Sequence, residues 1–167
     1  MSETAKHLHE TLPYLRGNGV DIGCGDDPVR PDCIAIDFPQ ENYECYNGGG
    51  ATSKANLRAF ADDLPFKDHT LDWVYSSHLL EDFDFSEWPA ILGEWVRVLK
   101  PGGTLVILVP DAVKWAAALA AGQPPNCAHK HEPILGELST LAPSVGLTVT
   151  SERHVGDYSI LFVAQKS

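Results

Sequence analysis

The stretch with the clearest chemical potential is VDIGCGDDP, residues 20–28, in which an apolar run ends at two glycines and two acids follow. A glycine-rich turn after a strand lets backbone amides approach a ligand closely, and such turns commonly bind phosphate. Here Asp26 and Asp27 bring negative charge to those amides, and Pro28 occupies the third glycine position of the dinucleotide fingerprint G-x-G-x-x-G. The turn is therefore predicted to accept a nucleoside without phosphates, especially a cationic one.

A further acid, Asp37, ends the next apolar segment, IAIDF. In dinucleotide enzymes an acid just beyond the second strand accepts hydrogen bonds from ribose hydroxyls, so Asp37 is predicted to bind a ribose. The alternative is that Asp37 only begins a turn. A ligand with a ribose, cationic groups and no phosphate is matched by S-adenosylmethionine, which carries a sulfonium, an ammonium and one carboxylate.

The elements that must position these residues alternate between strands and helices. Alternation predicts an α/β fold, a Rossmann-like doubly wound sheet that is mostly parallel, closed by a C-terminal antiparallel β-hairpin. The segment between the first two strands is too short for a full crossover helix, and residues 39–56 are predicted to form a loop. Strands are predicted at residues 20–23, 34–38, 73–77, 104–109, 147–153 and 158–165, and helices at 3–16, 112–121, 132–142 and, for about thirteen residues, after an N-cap at Ser86.

In a doubly wound sheet, ligands bind beyond the carboxyl ends of the strands, near the switch point beside the first strand. The loops after Gly23, Asp37 and Ser77 are therefore expected to carry the function. We predict one domain over the whole chain, with these parts: an N-terminal helix at 1–17, a cofactor-binding half at 18–111, and a substrate-side half with the closing hairpin at 112–167.

Composition and charge exclude several classes of partner. The formal net charge of −11 disfavours nucleic acid and anionic membrane surfaces. No apolar run approaches the roughly 18 residues that span a bilayer, and the first residues lack a signal-peptide layout. The four cysteines form no CxxC pair, which predicts reduced thiols in a cytoplasmic protein, with Cys24 a small buried filler. The H-x-H-E stretch at 129–132 lacks further ligands at metal-binding spacing, so no metal is expected.

Four segments together resemble a known family. VDIGCG, IAIDF, DDLPFKDHTLDWVYSSHLLEDF and EWVRVLKPGGTLVILVPD resemble, in this order, successive motifs of the class I S-adenosylmethionine-dependent methyltransferases, most closely the small bacterial type 11-like group. The resemblance implies a seven-stranded sheet and transfer of a methyl group to an O or N atom of a small-molecule acceptor. It also implies S-adenosylmethionine as the cofactor and S-adenosylhomocysteine as the product.

The resemblance also implies roles for individual residues. Asp21 would engage the ammonium of the cofactor, and either Asp62 or Asp63 would accept a hydrogen bond from the adenine amine, with Leu64 against the ring. The sequence departs from the family at Phe60, where an acid is common. The cofactor-binding residues implied in this way are Asp21, Gly23, Cys24, Gly25, Asp37, Phe38, Asp62, Asp63, Leu64, Ser77 and His78.

Three histidines are candidates for a catalytic base: His78, which follows a predicted strand, and His129 and His131, which lie in a later loop. Methyl transfer is a displacement at a carbon that the cofactor has already activated. Such an enzyme works with one general base or with none, so no conspicuous catalytic cluster is required. The alternative is that these side chains cap or pack, and that the later pair belongs to a solvated loop.

Other interpretations remain open at this point. The acidic run Glu81, Asp82, Asp84 and Glu87 is interpreted as a solvated face, and the alternative is that it selects a cationic acceptor. Trp115 could border the opening for the substrate. Two rival functions are a nicotinamide-dependent oxidoreductase, which Pro28 and the acidic pair disfavour, and a methyltransferase-like binding domain without turnover.

Overall fold

The computed structural model describes residues 2–38 and 53–167, and a seven-stranded sheet forms its centre. The strands are β1 (Gly19–Ile22), β2 (Ile34–Asp37), β3 (Leu57–Arg58), β4 (Leu71–Ser77), β5 (Leu99–Pro110), β6 (Leu147–Val155) and β7 (Ser159–Lys166). Their order is β3-β2-β1-β4-β5-β7-β6. The first five strands are parallel, and β7 is antiparallel to both β5 and β6. The predicted mostly parallel α/β sheet with an antiparallel C-terminal hairpin is confirmed.

The register of the central strands determines where their carboxyl ends lie, and therefore where the candidate site forms. Ile22 in β1 pairs with Ile36 in β2 and with Ser76 in β4, so these three strands end side by side. The chain builds outward from β1 in one direction through β2 and β3, and in the other through β4 and β5. Such a switch point leaves a crevice beyond the strand ends. The residues that follow each strand end therefore meet in one place.

Helices and the N-terminal segment cover the two faces of the sheet. The helices are α1 (Glu3–Lys6), α2 (Leu8–Thr11), α3 (Trp88–Val98), α4 (Ala112–Ala120) and α5 (Glu137–Leu141). Trp88 and Trp95 of α3 are fully buried against one face, in the same cluster as Val74 of β4. Trp73 and Tyr75 of β4 pack on the opposite face, as the alternation of side chains along a strand requires. Among the described residues, no helix has the length and hydropathy needed to cross a membrane.

The prediction of one continuous helix over residues 3–16 is wrong. His7 leaves the helical conformation between α1 and α2, with φ −109° and ψ 12°, and a 3₁₀ turn over Leu12–Tyr14 follows. The His7 ring is buried against Gly156 in the β6–β7 turn, where an added Cβ would lie 2.5 Å from the ring. Docking of this ring onto the hairpin overrides the local helical preference.

The expected N-cap at Ser86 is also wrong. A 3₁₀ turn over Phe85–Glu87 precedes α3, and Oε2 of Glu87 accepts a hydrogen bond from the Asp84 amide at 2.8 Å. The acid three residues after Asp84 thus forms a capping box, and its N-cap, Asp84, lies two residues before Ser86.

The helix predicted over residues 132–142 begins later than expected, at Glu137. Gly136 adopts φ +97°, which interrupts any helix before that point. The carboxylate of Glu152 on β6 accepts hydrogen bonds from the amides of Gly136 at 2.9 Å and Ser139 at 3.1 Å. A carboxylate at a helix N-terminus is favourable, so the hairpin selects the start of α5.

The first half of the chain contains two short connecting or pairing segments, residues 23–33 and strand β3. Residues 23–33 contain turns and no helix, as the shortened crossover predicts. The strand β3 has only two residues, and it pairs Leu57 with Ile36 and Arg58 with Asp37. A segment this short shows no periodic pattern, so the sequence does not predict it. Most of the predicted loop at 39–56 lies outside the described residues.

Candidate active site

The turn after β1 contains two glycines in the left-handed region, Gly23 at φ +75° and Gly25 at φ +54°. A Cβ on Gly23 would lie 2.9 Å from the side chain of Leu79, so close packing requires glycine there. Among residues 2–38 and 53–167, a Cβ on Gly25 would meet no atom within 4 Å. Gly25 therefore leaves open space beside its backbone, which is where a ligand can approach.

The structure brings Asp37 and Gly25 together. Asp37 ends β2 with only 4% of its surface exposed, and its Oδ2 accepts a hydrogen bond from the Gly25 amide at 3.1 Å. Its Oδ1 accepts from the amide of Phe38 at 3.0 Å. These bonds fix the carboxylate at the end of β2, next to the open glycine turn.

Asp21 lies beneath the same turn. It is 1% exposed, and its Oδ2 accepts a hydrogen bond from the Val29 amide at 2.7 Å, which ties the far end of the loop to β1. Burial raises the pKa of Asp21 to about 7, and the nearby charges of Asp37 and Asp27 add to the rise. Its contact with the ammonium of a cofactor remains a prediction.

Cys24 is buried between the two glycines, and its Sγ lies 3.5 Å from the Gly25 carbonyl oxygen. Burial, together with the charges of Asp21 and Asp37, raises the pKa of its thiol to about 12. The thiol therefore stays protonated and fills space, as expected. The neighbouring Asp27 accepts a hydrogen bond from Ser2, which caps α1, so the turn also anchors the N-terminus.

A first cavity of about 440 Å³ opens beyond the ends of β1 and β2. Acidic groups outnumber basic groups on its wall, and burial raises the pKa of Asp82 there to about 7. Lys130 is the basic residue of the lining, so the cavity favours cationic over anionic ligands. The lining residues are Ile22, Gly23, Ile36, Asp37, Phe38, Ala59, Phe60, Ala61, Asp62, Leu79, Asp82, Phe83, Glu87 and Lys130.

The three residues proposed to contact adenine occupy different environments. Asp62 lines the first cavity. Asp63 is exposed, and its amide donates to the Phe60 carbonyl at 3.3 Å. Leu64 is buried in the core, with its amide bonded to Oε1 of Glu94 at 2.8 Å. Of the two acids, Asp62 is therefore the one that the structure places on the cavity wall.

The residues after β4 separate two cavities. Ser77 is the last residue of the strand, and His78 follows with φ +52°, its amide donating to the Leu108 carbonyl at 2.8 Å. This backbone turn directs consecutive side chains apart. Leu79 lines the first cavity, whereas His78 lines a second one.

The second cavity has a volume of about 510 Å³ and an aromatic wall. The ring of Trp115 lies 5.4 Å from that of His129 and 5.1 Å from that of Tyr158, between centroids. Glu3 of α1 accepts a hydrogen bond from the Tyr158 hydroxyl at 2.9 Å. Burial alone would raise the pKa of Glu3, but hydrogen bonds from Lys6 and Tyr158 hold it below the usual range. The lining comprises Glu3, His78, Trp115, Gln123, Pro124, Pro125, Asn126, Cys127, His129 and Tyr158.

The three candidate histidines do not converge. His78 and His129 both line the second cavity. The ring of His131 instead packs on Phe85 and Trp88, at 4.9 and 5.1 Å between centroids, and its Nε2 lies 3.1 Å from the carboxylate of Glu137. Within residues 2–38 and 53–167, no group of three or more His, Cys, Asp or Glu side chains is arranged to hold a metal ion.

The interpretation of the acidic run as one solvated face is wrong. Asp84 and Glu87 are exposed, but Asp82 is half-buried and Glu81 is completely buried. Oε1 of Glu81 lies 3.2 Å from Nδ1 of His78 and 3.7 Å from Nε2 of His129. The missed signal is the position of Glu81 directly after two leucines at the end of a buried strand.

Solved structures with the same fold cover nearly the whole chain. One is a methyltransferase in complex with the Trm112 methyltransferase activator from Haloferax volcanii, with a TM-score of 0.70 and 21% identity over 98% of this chain and 88% of that chain. Another is a SAM-dependent methyltransferase from Archaeoglobus fulgidus, with a TM-score of 0.71 and 17% identity over 98% and 92% of the chains. A third, from Thermotoga maritima, is described as a possible histamine N-methyltransferase, with a TM-score of 0.70 and 20% identity over 98% and 89% of the chains.

The sequence itself matches the methyltransferase domain family over residues 20–107, which is more than half of the chain. No curated protein matches the chain significantly. The matched segment includes the glycine turn, Asp37 and His78, so it contains both cavity-forming strand ends. This chain therefore belongs to the methyltransferase domain family and is a class I enzyme that uses S-adenosylmethionine as its cofactor.

Proposed function

We propose that the enzyme transfers the methyl group of S-adenosylmethionine to an O or N atom of a small molecule. In this proposal the cofactor occupies the first cavity and the acceptor occupies the second. The observation that carries it is the divergence of two consecutive residues after β4, since Leu79 lines one cavity and His78 the other. A donor and an acceptor held on opposite sides of this turn would meet at the end of β4.

The residues of the first cavity fit this cofactor. The open space beside Gly25 admits a ligand close to the backbone, and Asp37 is positioned to accept from ribose hydroxyls. Phe38 and Phe60 supply apolar wall for an adenine ring, with Asp62 on the same wall for its amine. The excess of carboxylates matches a ligand that carries a sulfonium and an ammonium.

When bound, S-adenosylmethionine supplies a methyl carbon activated for displacement by its sulfonium. The protein contributes alignment, because holding two reactants in line lowers a barrier by roughly 7–11 kcal/mol in favourable cases. Trp115 and Tyr158 give the second cavity an aromatic wall against which the acceptor would lie. His78 holds or accepts a proton at Nε2, which lies 3.1 Å from the hydroxyl oxygen of Ser159. Oxygen and protonated nitrogen acceptors must lose a proton, and a positioned base accelerates this by about 10²–10⁴-fold.

The acceptor cavity supports a small molecule rather than a polymer. Its volume of about 510 Å³ falls in the range of small-molecule sites, roughly 300–1,000 Å³. The net charge of −11 disfavours a nucleic-acid acceptor. The description of the Thermotoga maritima neighbour as a possible N-methyltransferase is compatible with a nitrogen acceptor.

Calorimetry with S-adenosylhomocysteine tests the cofactor site directly, and no heat of binding at millimolar concentration would exclude the proposal. Incubation with methyl-labelled cofactor and separate panels of amines, phenols, hydroxy acids, thiols and carbon acids then tests the acceptor class. We expect label in an amine or hydroxyl compound, with the rate lost in Trp115→Ala. Labelling of carbon or sulfur acceptors alone would contradict the assignment.

A further inference from the structure

Glu81 is a buried carboxylate that has no role in the function proposed above. Its side chain is 0% exposed, and neither carboxylate oxygen has hydrogen-bond geometry with any described residue. Burying a charged group without a partner is costly, so such a carboxylate is expected to lie against groups that can donate to it. The groups with charge within 4 Å, among the described residues, are the rings of His78 and His129.

The two histidines differ in what lies at their second nitrogen. His129 has Nδ1 3.0 Å from Glu132 and Nε2 3.7 Å from Glu81, so acids face both of its nitrogens. His78 has Nδ1 3.2 Å from Glu81, whereas its Nε2 lies 3.1 Å from the Ser159 hydroxyl. Only His78 therefore combines a carboxylate on one side with a nitrogen that faces no acid within hydrogen-bond distance on the other.

The separation of 3.2 Å between Nδ1 of His78 and Oε1 of Glu81 is a hydrogen-bond distance and an ion-pair contact, although the geometry is not that of a hydrogen bond. A carboxylate at this position requires a proton on Nδ1, because it can only accept. In a neutral ring with its proton on Nδ1, Nε2 carries no proton and is a hydrogen-bond acceptor. That nitrogen lies 3.1 Å from the hydroxyl oxygen of Ser159 and 4.0 Å from Glu3 on the wall of the second cavity. The same hydroxyl oxygen lies 3.4 Å from Oε2 of Glu3, so its single proton is donated either to Nε2 of His78 or to Glu3.

The backbone holds this arrangement from both sides. The carbonyl oxygen of Glu81 accepts hydrogen bonds from the amides of Lys130 at 2.8 Å and His131 at 3.1 Å. The loop that carries His129 is thus fastened to the turn that carries Glu81. The carboxylate sits between two segments that each supply one histidine to the second cavity.

We infer that Glu81 is a positioning residue that keeps the proton of His78 on Nδ1 and leaves Nε2 as the proton acceptor at the acceptor cavity. The catalytic purpose of this role rests on the proposed function, but the tautomer itself can be measured whether or not that function is correct. The tautomer of His78 is a property of the protein without an acceptor or a reaction. Binding of S-adenosylhomocysteine, measured in parallel, reports on the proposed function separately.

Nitrogen-15 NMR of the full chain with labelled histidine tests the inference. At a pH at which the ring of His78 is neutral, we expect a protonated Nδ1 and an unprotonated Nε2. The variant Glu81→Leu should move the proton to Nε2, because free imidazole side chains favour that tautomer. A charge-assisted hydrogen bond predicts a change of roughly tenfold or more in the tautomer ratio.

The matched control is Glu132→Leu, which removes the acid beside His129 and should leave the His78 signal unchanged. A proton on Nε2 of His78 in the unaltered protein would overturn the inference, as would the same tautomer with and without the Glu81 carboxylate. A ring protonated on both nitrogens throughout the accessible pH range would overturn it too. The spectrum of the unaltered protein decides the matter even if Glu81→Leu does not fold.

Discussion

The amide of Gly25 donates a hydrogen bond of 3.1 Å to the carboxylate of Asp37, and this bond joins the ends of two neighbouring strands. It places the acid at the end of β2 against the turn after β1, at the crevice where doubly wound sheets bind ligands. Asp37 therefore has two functions: it orders the glycine turn and it offers its carboxylate to the first cavity.

Replacing Asp37 should weaken cofactor binding more than it disturbs the fold. The variant Asp37→Ala removes the acceptors for ribose hydroxyls, and losing one or two such hydrogen bonds predicts an affinity for S-adenosylhomocysteine about ten- to a hundredfold lower. Calorimetry measures this change, with Asp32→Ala as the control, because Asp32 is exposed and paired with Arg30. Equal affinities of Asp37→Ala and the unaltered enzyme would remove Asp37 from the site.

The open space at Gly25 predicts a defect in binding without a large defect in stability. In Gly25→Ala the new Cβ meets no atom of the residues that the structure describes, so the expected cost to folding is that of the left-handed conformation, about 1–2 kcal/mol. The methyl group would nevertheless project into the space proposed for the cofactor. We expect at least about tenfold weaker binding of S-adenosylhomocysteine.

Gly102 provides the matched control for this experiment. It also has a positive φ, +74°, and an added Cβ would meet no atom within 4 Å. Gly102→Ala should therefore lose a similar amount of stability in urea unfolding and keep its affinity. If both variants bind equally well, the ligand does not lie beside Gly25.

The sequence leaves open which of two adjacent acids contacts adenine, and the structure favours one. Both acids are exposed, but Asp62 lines the first cavity and Asp63 does not. Asp62→Asn should weaken binding of S-adenosylhomocysteine by about three- to tenfold, the value of one hydrogen bond, and Asp63→Asn should not. Isothermal titrations of the two variants side by side make the comparison, and the reverse order of effects would reassign the contact.

Asp21 should make the protein less stable as the pH rises. Its pKa is raised by burial to about 7, against an ordinary value of 3.8. Between these two values the folded state keeps a proton that the unfolded state has released, so the free energy of unfolding falls with increasing pH. Above about pH 7 the full cost of the buried charge is present.

The variant Asp21→Asn keeps an acceptor for the Val29 amide but cannot ionise. Its free energy of unfolding should fall less steeply with pH than that of the unaltered protein, by on the order of 1 kcal/mol per pH unit between about pH 4.5 and 7. Urea denaturation across this range measures the difference. Parallel pH profiles for the two proteins would show that Asp21 does not keep its proton.

The local pattern of apolar residues was sufficient to predict the long helices and strands. The apolar stripe that includes Trp88 and Trp95 predicts α3, and the buried runs of β4, β5 and β7 predict their strands, because burial on a sheet or helix face imposes a period on the sequence. It failed at His7, Ser86 and the start of α5, where a contact with a distant segment or a competing cap decides the boundary.

Local features of the sequence specify the residues of the proposed cofactor site. The glycines of the β1 turn and Asp37 are specified by conformational freedom and by strand-end position, both of which are local properties. The proposed acceptor site, in contrast, follows from the folded structure. Glu81, Tyr158 and Glu3 come from distant parts of the chain, and burial and proximity make them a site. Contacts between residues so far apart in the sequence depend on how the strands and helices pack, and the spacing of residues along the chain does not predict them.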